Sequence, residues 1–180
     1  MQNGQPANAF RRLLLIILAT GGMAGVARAA TPEEDASSAA REWAKAIMTH
    51  DVETEMKLLP PALFPKPADR ERARLMKLRE RELAVVNGDK YLSFEVRLPI
   101  QTVKIDKVTA VVLPYTSELG TPKGKLQTNS ALIAIFEQDS GKWSIIDGSG
   151  QNPRSLKRLI PGYTANLQLP PALVNFTKIE

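Results

Sequence analysis

Few residues in this chain could handle a proton. His50 is its single histidine, with Asp51 directly after it; Tyr91 opens one apolar run and Asp147 closes another. A general base needs a partner that orients it. Adjacent residues on helical backbone point apart, so Asp51 is badly placed to orient His50. The histidine reads instead as a half-exposed helix-end residue, where an imidazolium complements the last carbonyls. Asp147-Gly148-Ser149-Gly150 reads as an Asx turn, with Asp147 as an inward polar anchor as the alternative. Ser149 lacks the G-x-S-x-G spacing of a nucleophile elbow, and its glycines fit no phosphate-binding loop. One histidine and no cysteine supply neither a zinc ligand set nor a thiol nucleophile, so no metal and no cofactor is expected. Trp43 lies on an apolar helical stripe and reads as core, with pocket lining as the alternative; Tyr91, Phe94 and Phe136 read the same way. The candidate pocket residues are therefore Trp43, His50, Tyr91 and Asp147.

The elements that must position them follow from punctuation and period. Thr31-Pro32-Glu33-Glu34 is a capping box with proline at the first helical position. Ala36, Ala39, Ala40, Trp43 and Ile47 then recur at helical spacing, which predicts a helix ending near Thr49-His50. Asp51 caps a shorter helix that runs through Leu59 and is stopped by Pro60-Pro61. After a proline-rich connector a third helix is expected from Asp69 to Val86, closed by Asn87-Gly88. Its Arg70, Arg72, Arg74, Lys77, Arg79 and Arg81 alternate with Asp69, Glu71, Glu80 and Glu82, which reads as a solvated, salt-bridged face; a partner surface or anionic lipid is the alternative. Its apolar residues thicken toward the C-terminal end.

From Tyr91 the period changes to two. Leu92, Phe94, Val96 and Leu98 alternate with polar residues, and a change of phase near Pro99-Ile100 predicts a bulge or bend in a long strand. Further strands are expected at Val108 to Leu113, Leu126 to Glu137 and Lys142 to Asp147, with a loop over residues 118 to 125. A short helix from Asn152-Pro153 to Ile160 and an irregular, extended tail complete the chain. Helices first and hairpin-linked strands after them predict an α+β fold, with N-terminal helices on one face of a strongly bent antiparallel sheet. The pentapeptide Leu-Pro-Pro-Ala-Leu occurs at 59–63 and 169–173 and reads as two proline-marked exits.

Residues 1–29 have another character. Arg11-Arg12 precede the apolar run Leu13 to Ala19, and Ala27-Arg28-Ala29 ends the segment. A basic start, a short apolar run and an A-x-A exit form a secretory signal peptide, with cleavage expected between Ala29 and Ala30. Gly21, Gly22 and Gly25 interrupt the run, which argues against a spanning anchor. Phe10 stands where a twin-arginine signal carries Ser or Thr, so the general secretory route is expected. Residues 30–150 then form the domain and 151–180 an extension packed on it. Removing residues 1–29 takes away three arginines and no acid, so the formal charge falls from +5 to +2. That balance gives no reason to expect nucleic acid.

The element order resembles the nuclear transport factor 2-like (cystatin-like cone) superfamily. The likeness rests on the helix pair joined at His50-Asp51-Val52-Glu53, the bent strand after the third helix, and Gly141-Lys142-Trp143-Ser144-Ile145-Ile146-Asp147-Gly148, which is similar to the last strand of many members. It spans about residues 31 to 150; the segment from Asn152 departs from the pattern. The resemblance implies a cone-shaped fold whose enzymes place Asp, His or Tyr inside the cone, and whose other members are binding or assembly modules. The expectation is a periplasmic or secreted binding or protein-interaction module without catalytic activity. Its partner would be a small apolar ligand or a protein, a second copy of the chain included, with no stable membrane insertion after signal removal. The alternatives are a cofactor-free lyase or isomerase using His50, Tyr91 or Asp147, and an envelope assembly factor docking a membrane protein.

The cleavage reading has a direct check. Intact-mass measurement of the exported chain should give a mature protein beginning at Ala30 rather than the full-length precursor.

Overall fold

The structure is a computed structural model that describes residues 30–160, 162–164 and 167–178; the expected signal segment and its last residue, Ala29, lie outside the described residues. Among the described residues, four α-helices and a six-stranded, strongly curled antiparallel sheet make a half-barrel of α+β class. The elements are α1 (Pro32–Met48), α2 (Val52–Leu58), a 3-10 turn (Pro61–Leu63), α3 (Pro67–Asn87), β1 (Lys90–Val96), β2 (Gln101–Ile105), β3 (Val108–Thr121), β4 (Gly124–Glu137), β5 (Lys142–Asp147), α4 (Pro153–Leu159) and β6 (Leu173–Lys178).

Each helix begins and ends where its residues demand. The Thr31 hydroxyl accepts from the Glu34 amide at 3.2 Å, and the Glu34 carboxylate accepts from the Thr31 amide at 2.7 Å. Asp51 accepts from the amide and the hydroxyl of Thr54 at 3.0 and 2.7 Å, and so starts α2. Gly88 closes α3 at φ 76°, a left-handed conformation that costs glycine nothing.

The sheet is organised around β3 and β4, which pair along their full lengths from Val108↔Glu137 to Thr121↔Gly124. Successive side chains go to opposite faces. Val111, Leu113 and Tyr115 of β3, Leu132 and Ala134 of β4 and Ile145 of β5 meet Ala36, Ala40, Trp43 and Ile47 of α1 on one face. Val108 and Ala110 of β3, Ile133 and Ile135 of β4 and Ile146 of β5 meet Leu156 and Leu159 of α4, together with Ile160 and Tyr163, on the other. The expectation of helices on one face is therefore corrected: two apolar faces need two covers, and α4 with the segment after it supplies the second.

Three strand boundaries also differ from expectation. The expected long strand is two strands, β1 and β2, each paired with β3, and the break at residues 97–100 lies opposite Pro114. Proline has no N–H to give. The Pro114 carbonyl accepts from Arg97 on that side, so its missing donor faces the same edge, where the ladder opens. A second register shift falls between Tyr91 and Ser93, which keeps Tyr91, Phe94 and Val96 facing α1. Residues 118 to 125 are not a loop: both strands continue to a tight turn between Thr121 and Gly124. Part of the expected irregular tail is β6, paired with β4 from Gly124↔Lys178 to Asn129↔Leu173. A side chain at Gly124 would meet the Thr177 carbonyl at 2.3 Å, so that close approach requires glycine.

Thr31→Ala should cost about 1 kcal/mol by removing the acceptor of the α1 capping box. Chemical denaturation should show a lower midpoint at unchanged slope.

Candidate functional site

Aromatic rings gather under α1. Trp43 meets Phe94 edge-on with centroids 5.8 Å apart, Phe94 stacks on Tyr115 at 4.7 Å, and Tyr91 lies 6.4 Å from Phe94. The α1 stripe carries Trp43 inward, while β1 and β3 supply the other rings from neighbouring strands. Such pairs favour edge-on and offset arrangements because ring edges and faces carry opposite partial charge. The rings occupy the curve of the sheet, with Trp43 and Tyr115 buried and Tyr91 and Phe94 half-buried.

A polar pair crosses the floor of this cluster. The Tyr115 hydroxyl donates to Asp147 Oδ2 at 3.1 Å, reaching from β3 across β4 to the end of β5. The other carboxylate oxygen, Oδ1, accepts from the Ser149 amide at 2.8 Å. Asp147 thus fills both roles that its sequence allowed, turn former and inward anchor. Burial, followed by the charge of Asp147 and the hydrogen bond to it, pushes the Tyr115 phenol above its ordinary range. Ser130 is the cross-strand neighbour of Tyr115, and its hydroxyl is buried without a hydrogen-bond partner. The Trp43 indole N–H is in the same condition. A carboxylate, a phenol and a hydroxyl could hold a polar group or shift a proton, and Phe94 stacks on the ring of that phenol.

His50 is placed differently. It sits at the α1–α2 junction with φ 58°, its Nδ1 buried and without a partner. Among the described residues no hydrogen bond or ion pair joins it to Asp147, whose side chain is taken by Tyr115 and Ser149. Asp51 does not orient it either, because both Asp51 oxygens are held by Thr54. Of the four candidate residues, Trp43 and Tyr91 share the aromatic cluster, Asp147 underlies it through Tyr115, and His50 has no hydrogen bond to any of them. Among the described residues no group of three or more His, Cys, Asp or Glu side chains could hold a metal ion.

Sequence reasoning passed over Tyr115, Ser130 and Glu55. Ending the second strand at Leu113 left Tyr115 unassigned, and Pro114 hid the continuation. The signal available was parity: Tyr115 continues the Val111, Leu113 series. Glu55 has a carboxyl side chain and is only 1 % exposed. Lys77 and Arg81 of α3 both bind it, Arg81 at 3.0 Å. Beside it Arg74 binds Glu53 at 2.6 Å, and Arg70 donates to the Met56 carbonyl at 2.7 Å. The α3 charges are salt-bridged, as the sequence suggests, but the row facing α2 is half-buried rather than fully solvated. Arg70, Arg74, Lys77 and Arg81 form one row that is spent on α2.

A separate groove of about 630 Å³ lies between α1, α2 and the β4–β5 hairpin. Phe136 and Trp143 form its floor, with centroids 5.2 Å apart, and Asp35, Glu42, Lys57 and Lys142 edge it. It touches none of His50, Tyr91, Tyr115 and Asp147.

Tyr115→Phe should lower stability at pH 7 by about 1–2 kcal/mol, because Asp147 loses a buried partner. A phenol whose folded pKa is raised contributes stability that is complete below its unfolded value, about 10, and is lost as pH rises beyond it. The gap between native protein and variant should therefore hold from pH 7 to 9 and narrow above pH 10, read from urea denaturation at each pH.

The chain matches no protein-family model, no curated protein sequence and no solved structure.

Proposed function

We propose that the chain is an exported interaction module of nuclear transport factor 2-like form, and that α3 is its docking element. One observation carries the reading. The helix is 21 residues long, none of them is buried, and its basic row ties it to α2. Its opposite face exposes Leu75, Met76, Leu83 and Val86 by 50 to 81 %. A helix with one face bonded to its own domain and an apolar stripe turned outward has the layout of a partner-binding helix. The curled sheet with α1 in its curve, and the Gly141 to Gly148 strand ending, support the cone. The layout of residues 1–29 supports export.

The lyase or isomerase reading has less behind it. It needs an acid and a base converging on one open cavity. Tyr115 and Asp147 are bonded to each other, Phe94 stacks on the phenol, and His50 has no hydrogen bond to either. No helix among the described residues is long and apolar enough to cross a membrane.

The test is photo-crosslinking in producing cells, with benzoylphenylalanine placed at Met76 or Val86 and, as control, at exposed Lys123. Adducts should form from Met76 and Val86 and not from Lys123. Equal or absent adducts at all three positions would remove α3 as the docking element.

A further inference from the structure

We propose that the groove between α1, α2 and the β4–β5 hairpin binds a neutral saccharide built of rings with equatorial hydroxyls. The site is separate from α3, so it stands or falls independently of the docking reading. Its floor is the last rung of the α1-facing side of the sheet. Phe136 and Trp143 are cross-strand partners there, both half-buried, and Trp143 also packs on the α1 cluster. Tryptophan combines a large apolar face with one polar handle. The Trp143 indole N–H has no hydrogen bond among the described residues and, unlike that of Trp43, is not shut away from solvent. One wall is α1, where Asp35, Ser38 and Glu42 run at helical spacing beside the core stripe. Asp35 and Glu42 stand about two turns apart, roughly 10 Å along the axis. Lys57 near the end of α2 and Lys142 at the start of β5 complete the edge.

The charges select the occupant. Among the described residues no ion pair or hydrogen bond takes up the side chain of Asp35, Glu42, Lys57 or Lys142. Two carboxylates and two ammonium groups cancel, so the groove favours neither sign of ligand. A polyamine would meet the lysines, and a phosphate would meet the acids. The carboxylates and the Ser38 hydroxyl accept hydrogen bonds, while the ammonium groups and the indole N–H donate them. Sugar hydroxyls do both. The C–H face of a ring with equatorial hydroxyls is flat and apolar, and its burial on Trp143 is favourable. A peptide strand fits less well, since it must also satisfy its own N–H and C=O groups. The main-chain groups of α1 between Asp35 and Glu42 are used inside the helix. The volume of about 630 Å³ lies within the range of small-molecule sites, about 300–1,000 Å³, and the open top leaves room for a chain to continue.

The experiment is nitrogen–proton correlation NMR on the labelled full chain, with whatever N-terminal processing its host performs. The probe is cellotetraose, a neutral glucan of equatorial hydroxyls, added to about 10 mM so that millimolar binding is seen. The chain has two tryptophans and so two indole N–H signals, assigned by Trp143→Phe, which removes one of them. The Trp143 signal should shift and saturate with sugar while the Trp43 signal stays in place. Asp35→Ala with Glu42→Ala should weaken binding about tenfold by removing two charged acceptors. Its circular dichroism spectrum should be unchanged, since both positions are exposed and alanine suits a helix. No shift of the Trp143 signal, equal shifts of both signals, or undiminished affinity in the double variant would overturn the site. Tighter binding of spermidine, tripolyphosphate or a mixed-charge tetrapeptide than of cellotetraose would overturn the saccharide as its occupant.

Discussion

The antiparallel ladder between β3 and β4 is the constraint on which the rest of the molecule hangs. It joins the two longest strands through a turn only two residues wide, and every other strand is registered against one of them. A slip of one residue would exchange the two faces. Tyr115 would then leave the α1 side, and Ile133 and Ile135 would leave α4. Both faces are buried along the middle of the ladder, so register is specified twice over. The polar pair Tyr115–Asp147 exists because β4 holds β3 and β5 at a distance that a phenol can span.

A second, smaller constraint governs α3. A carboxylate as buried as Glu55 is costly to desolvate, and that cost is met only when its partners are in place. Lys77 and Arg81 are those partners, one helical turn apart on one row. The same spacing that turns four cations toward α2 turns the apolar stripe away from it. The outward face of α3 is thus a geometric consequence of its ionic seam, not a failure to pack.

Local signals told most of the fold, since caps, prolines and period act within a few residues. The capping box at Thr31, the Asp51 cap, the Gly88 stop and the strand from Lys142 to Asp147 were all readable in that way. What escaped depends on partners far along the chain. Pro114 reads as a strand ender by itself; only the gap between β1 and β2 on its open side lets the strand continue. β6 is a strand because β4 offers it an edge, and its own exposed residues do not announce it. The cover on the second face of the sheet required knowing that Ile133, Ile135 and Ile146 needed one. At the site, Trp43 and Tyr91 were legible as aromatic payload. Tyr115, Ser130 and Glu55 were not, because their importance comes from a hydroxyl, a carboxylate and two cations brought together by folding.

The break opposite Pro114 bears on colloidal behaviour. Open sheet edges recruit foreign strands and so start aggregates. On the β1–β2 side an incoming strand meets two short rails interrupted at Leu98-Pro99, with proline on both sides of the interruption. On the opposite side β5 and β6 follow one another along β4 as two short rails of their own, and β6 exposes Leu173, Val174 and Phe176. Neither margin thus offers one long rail, and the apolar side chains of β6 make its six residues the place where solubility under stress is decided.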